Sequence, residues 1–111
     1  MKLLSGKRAF IIGAASGIGA ETAKLFAAEG ATVAIADINE SGLAATAAAI
    51  GTPPTFRVDI TDAAQVKQVT NAAAKALGGL DIVLNTPFVD GHPDLLGLTE
   101  QQYRREFDVL G

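Results

Sequence analysis

Gly13, Gly17 and Gly19 stand in the stretch Phe10-Ile11-Ile12-Gly13-Ala14-Ala15-Ser16-Gly17-Ile18-Gly19-Ala20-Glu21. An apolar run leads into a glycine-rich turn, and the turn leads into a segment with helical periodicity. That order suits an anion. Glycines let the backbone approach a ligand, and the first turn of a helix presents free N–H groups and the positive end of its dipole. Ser16 adds a hydroxyl beside them. A tight turn with no ligand is the plain alternative.

The spacing separates the rival phosphate loops. A Walker loop requires lysine and a hydroxyl residue directly after its last glycine, and Ala20 and Glu21 follow Gly19. The common G-x-G-x-x-G form is not matched either. The pattern present is Gly-x-x-x-Gly-x-Gly, with Gly13 for the tight turn, Gly17 for close backbone approach and Gly19 for packing helix on sheet. Asp37 closes the next apolar run, where a carboxylate can accept both ribose hydroxyls of an adenosine. A carboxylate there repels a 2′-phosphate. Neither Ser16 nor Ile38 supplies a compensating cation, so NAD is favoured over NADP.

The elements that must position these groups follow from the apolar pattern. Residues 9–12, 32–36, 55–58 and 80–84 read as short strands, apolar on both faces as in a covered parallel sheet. Helices are expected over 17–29, 40–50 and 63–77, stopped by Gly30, Gly51 and Gly78-Gly79. Ile18, Thr22, Leu25 and Phe26 are the expected buried face of the first helix. Asn39 caps the second helix, and Thr61 or Asp62 caps the third. Val66, Val69, Ala73 and Leu77 give that third helix its apolar stripe. From 85 to 97 proline and glycine mark a loop. Thr99 with Gln102 then forms a capping box for a last helix with Tyr103, Phe107 and Leu110 on its apolar face. Strand and helix alternate throughout, which implies a Rossmann-like, doubly wound parallel α/β sheet of about four strands in one domain.

Composition narrows the function classes. The chain has 111 residues, 49% hydrophobic and 19% charged, with a formal charge of −3. A packed core is expected, and no basic footprint marks a nucleic-acid partner. There is no cysteine, hence no disulfide and no thiol chemistry, which is compatible with a reducing, cytoplasmic setting. Lys7 and Arg8 interrupt the start before a signal peptide could form, and Glu21 and Lys24 break the longest apolar run, so no membrane span is expected. Asp90, His92 and Asp94 surround a turn marked by Gly91 and Pro93, and a lone histidine with two acids falls short of a closed zinc site.

Taken together, Gly13-Ala14-Ala15-Ser16-Gly17-Ile18-Gly19, Asp37, Val58-Asp59-Ile60-Thr61-Asp62 and Gly79-Leu80-Asp81-Ile82-Val83-Leu84-Asn85 resemble the short-chain dehydrogenase/reductase family over essentially the whole chain. The resemblance implies an NAD(H)-dependent oxidoreductase acting on an alcohol or carbonyl. It also implies that Asp59 and the backbone of Ile60 hold the adenine ring, and that Asn85 opens an Asn-Asn-Ala-Gly motif steadying the sheet beside the cofactor. The chain departs from the pattern at several places. Ile12 stands where the family usually has threonine, Thr86-Pro87-Phe88 replace the rest of the asparagine motif, and no asparagine follows Val109.

The family's catalytic serine and Tyr-x-x-x-Lys pair fall beyond Gly111, and Tyr103 is followed four positions later by Phe107. Expected, therefore, is a dinucleotide-binding part that does not turn over alone, with no catalytic residue of its own. The alternatives are a non-catalytic NAD-binding module acting with a partner chain or as a homo-oligomer, and a non-functional fragment.

Overall fold

The computed structural model describes residues 2–86. The expected 85–97 loop beyond Thr86, the 90–94 acid–histidine turn and the last helix lie outside the described residues.

The described chain alternates β1 (Arg8–Ile12), α1 (Gly17–Ala28), β2 (Thr32–Asp37), α2 (Glu40–Ala49), β3 (Thr55–Arg57), α3 (Ala63–Leu77) and β4 (Ile82–Asn85). All strand pairs are parallel, in the order β3-β2-β1-β4. The chain winds outward from β1 to β3 and then crosses back to the other side of β1. The reversal opens a crevice at the carboxyl ends of β1 and β4, the place where open α/β sheets take their ligands.

The continuous apolar runs follow from burial on both faces. Ile11, Val33 and Ile35 point to one side, where Ala23 of α1 and Leu43 and Ala47 of α2 cover them. Phe10, Ile12, Ala34 and Ala36 point to the other, with Ala73 of α3 and with Val58, which follows β3. Phe10 meets Phe56 edge-on, with ring centroids 6.0 Å apart. Phe10, Ile11, Ile12 and Ile35 are fully buried, each stabilising the fold by roughly 1.5–3 kcal/mol through area removed from water. These side chains fix the sheet beneath the crevice.

Helix ends match the chemistry of their residues. Asn39 accepts from the Gly42 N–H at 3.1 Å to cap α2. Asp62, rather than Thr61, caps α3, accepting from Ala64 and Gln65 at 3.0 and 3.2 Å. Thr61 is drawn away to Asp59. Gly78 ends α3 in the left-handed region at φ 80°.

Three expectations need correction. In α1, Ile18 and Leu25 are 47% and 60% exposed, while Gly19, Ala20 and Ala23 are buried. The small face of the helix wins because it must sit against the glycine turn; only Phe26 of the expected apolar face packs on the core cluster. β4 begins at Ile82 rather than at 80 and keeps Asn85, which pairs in register with Ile12. Asp81 is held back by Arg8: its Oδ2 accepts from the Arg8 N–H at 2.9 Å and from Nε at 3.3 Å. β3 likewise ends at Arg57, one residue early.

Candidate dinucleotide site

The turn between β1 and α1 is held from four directions. From β2, the Ala36 carbonyl accepts from the N–H groups of Gly13 (2.8 Å) and Ala14 (3.1 Å). From α2, the buried Thr46 hydroxyl donates to the Ala14 carbonyl at 2.8 Å. At the end of β2, Asp37 Oδ2 accepts the Ala15 N–H at 2.9 Å, and Oδ1 accepts the Asn39 N–H at 3.1 Å. From the end of β4, the Thr86 N–H donates to the Ile12 carbonyl at 2.8 Å, and its hydroxyl lies 3.0 Å from the same oxygen. The turn is set in place before any ligand arrives.

Each glycine has a separate reason. Gly13 lies at φ 92°, and a Cβ there would run into Thr86. A Cβ on Gly19 would collide with the Gly13 carbonyl, so this position lets the helix close on the turn. Gly17 adopts φ 60° yet faces open space. Bare backbone at Gly17 therefore borders the crevice, with room for a ligand to approach.

Ser16 is the N-cap of α1, and its exposed side chain makes no capping hydrogen bond. The first intrahelical donor is Ala20, whose N–H goes to the Ser16 carbonyl at 3.4 Å. The N–H groups of Gly17, Ile18 and Gly19 precede that bond and stand at the positive end of a 12-residue helix.

On the far side, Asp59 lies just beyond β3. Its Oδ1 accepts from the Thr61 hydroxyl at 2.6 Å and the Thr61 N–H at 2.9 Å. These two bonds, the hydroxyl first, hold the Asp59 carboxyl below its ordinary pKa against the opposing effect of desolvation. The Asp59 N–H donates to Gln65 Oε1 at 3.0 Å, and Gln65 Nε2 donates to Asp62 Oδ2 at 3.2 Å. This braces the turn that follows β3.

A cleft of about 390 Å³ joins these parts. Of the residues singled out from the sequence, Gly13, Ser16, Gly17, Ile18, Gly19, Asp37, Ile38, Asp59 and Ile60 line it. Asn85 does not. It is half-buried in β4, and its neighbour Thr86 faces the cleft instead. Sequence reasoning also passed over Ala15, Asn39 and Val58, which complete the wall. No lysine or arginine lines the cleft among the described residues. Arg57, the register partner of Asp37, is instead 3.6 Å from Glu40.

A glycine turn, a helix N-terminus and a strand-end carboxylate at a sheet reversal are the parts that grip a dinucleotide. The family model for enoyl-(acyl carrier protein) reductase matches residues 13–110. The chain belongs to the short-chain dehydrogenase/reductase family. Galactitol 2-dehydrogenase of Agrobacterium fabrum is 43% identical over 107 residues, covering 96% of this chain and 42% of the relative. A short-chain dehydrogenase structure from Mycobacterium smegmatis superposes with a TM-score of 0.76 at 28% identity, over 98% of this chain and 47% of that one. A short-chain dehydrogenase/reductase from Burkholderia phymatum, solved in complex with NAD, gives a TM-score of 0.67 at 34% identity, over 75% of this chain and 31% of its own. The chain thus spans about two-fifths of the curated relative and just under half of the Mycobacterium smegmatis structure. No helix among the described residues is long and apolar enough to cross a membrane.

Proposed function

We propose that this chain is the NAD-binding part of a dehydrogenase that oxidises a secondary alcohol or reduces the corresponding carbonyl. The observation carrying this reading is the cleft itself, which the first residues of α1 and Asp37 line together. The pyrophosphate is assigned to Gly17, Ile18 and Gly19, with the Ser16 hydroxyl beside it. The adenosine ribose is assigned to Asp37, and the adenine to Asp59 and Ile60 with Ile38 alongside. The role of Asn85 is indirect: it keeps β4 paired to the end of β1, where the turn begins.

Both Asp37 oxygens already accept a backbone N–H, and each carboxylate oxygen has a second lone pair for a ribose hydroxyl. A 2′-phosphate at that point would meet the Asp37 charge with no basic residue in the described lining, which favours NAD over NADP. The nicotinamide, when bound, carries the hydride. What this chain's described residues do is bind and orient.

The galactitol 2-dehydrogenase relative names a polyol, and a polyol is the substrate class we favour for the complete enzyme. Calorimetric titration of the chain with NAD and NADP tests the reading. Saturable binding of NAD, tighter than NADP, is expected; no heat and no thermal shift with either would overturn it. With NAD and a secondary alcohol the chain is expected to give no change in reduced-cofactor absorbance.

A further inference from the structure

We propose that Thr86 is a positioning residue for the dinucleotide turn, its hydroxyl pinning the end of β1 and the start of the turn from the neighbouring strand. The proposal rests on reading the cleft as a dinucleotide site and adds to it a residue that does not belong to the glycine turn.

Thr86 follows β4 directly and lies in the crevice where the sheet order reverses. Although it borders the cleft, it is 8% exposed. Its hydroxyl carries one proton, shared between the Ile12 carbonyl at 3.0 Å and the Gly13 carbonyl at 3.3 Å. Its backbone N–H fixes the Ile12 carbonyl as well, at 2.8 Å. Ile12 brings no hydroxyl of its own to this corner, so the polar tie between the two strand ends comes from β4.

The glycines report the same geometry independently. A Cβ on Gly13 would lie 2.6 Å from Thr86 Oγ1, and one on Gly19 would lie 2.7 Å from it. The hydroxyl thus sits where the first glycine, the last glycine and two successive carbonyls converge. Removing it takes one tie from the Gly13–Ala14 peptide, whose N–H stays on the Ala36 carbonyl at 3.1 Å, and loosens the peptides leading to Gly17. Such a change alters where the pyrophosphate donors point without emptying the core, because valine matches threonine in shape.

The test compares Thr86→Val and Thr86→Ser by NAD titration of the 111-residue chain, at a temperature where each variant is fully folded. Loss of the hydroxyl is expected to weaken NAD about tenfold, equivalent to ~1.4 kcal/mol. Thr86→Ser, which keeps the hydroxyl and loses only the methyl, is expected to stay within about threefold of the parent. A merely structural threonine would lower the melting temperature and leave the affinity of the folded protein unchanged. Thr86→Val binding NAD as tightly as the parent would overturn the proposal, as would Thr86→Ser weakening it as much as valine does. If the valine variant does not fold, Thr86→Ala carries the same expectation without added bulk. A parent chain that takes up no NAD would bring down the reading of the cleft, and this proposal with it; a parent that binds beside an unaffected valine variant brings down this proposal alone.

Discussion

Substituting Gly19 by alanine separates two opposing effects whose sizes differ. In an isolated helix the change would be favourable by up to ~1 kcal/mol, because glycine is the poorer helix former. Here the new methyl would collide with the Gly13 carbonyl and lie 2.7 Å from Thr86 Oγ1. The carbonyl is backbone and cannot swing away as a side chain could. Gly13 is also tied by its N–H to Ala36 at 2.8 Å, so the turn and the helix must part. Overpacking of this kind costs ~1–3 kcal/mol, and against rigid backbone the upper part of that range applies. The net expectation is a loss of about 2 kcal/mol. For a domain of this size that lowers the melting temperature by roughly 8–16 °C. Dinucleotide affinity should fall with it, since Gly19 carries one of the three amides that precede the first intrahelical bond of α1. The assay is thermal unfolding by circular dichroism, with and without NAD. A Gly19→Ala protein that melts at or above the parent temperature would refute the close approach of α1 to the turn, and with it the geometry assigned to the site.

Other consequences follow from the same contacts. Asp37→Asn keeps one oxygen for a backbone N–H and removes the charge, so NAD binding should weaken several-fold while NADP changes less; equal loss for both would refute the ribose assignment. Asp81 is held below its ordinary pKa first by the Arg8 backbone N–H and then by its side chain. A carboxyl with a depressed folded-state pKa stabilises fully above its unfolded value of about 3.9, and that stability is lost as pH falls through the folded value. Urea unfolding should therefore show stability dropping as acid passes below about pH 4, and Asp81→Asn should flatten that drop. An identical acid profile for the variant would show that the Arg8–Asp81 tie does not contribute.

Much of the fold was legible because its elements depend on local rules. Covered parallel strands need continuous apolar runs, and Phe10-Ile11-Ile12 and Val33-Ala34-Ile35-Ala36 supply them. Glycine and proline mark the exits, and Gly30, Gly51 and Gly78 each take the left-handed conformation that a helix end favours. The burial of α1 was not legible. Helical spacing finds an apolar stripe through Ile18 and Leu25, but periodicity cannot tell that the helix must approach a backbone turn so closely that only Gly19, Ala20 and Ala23 fit.

The candidate site divides along the same line. The glycine spacing and the strand-end Asp37 could be read directly, because each acts within one strand–turn–helix unit. Thr86 could not. Its importance arises from β4 lying beside β1 in a particular register, a relation between residues 73 and 74 positions apart. The second role of Asp37, gripping the Ala15 N–H from 22 residues away, was hidden for the same reason.

The measurement that bears most directly on the central claim is a two-dimensional ¹H–¹⁵N spectrum of the labelled chain titrated with NAD. The amide signals of Gly17, Ile18 and Gly19 should shift saturably, together with Ile38 and Ile60, while Thr52 and Lys75 outside the cleft stay in place. Unchanged signals from Gly17 to Gly19 at saturating NAD, or shifts centred elsewhere, would contradict the account.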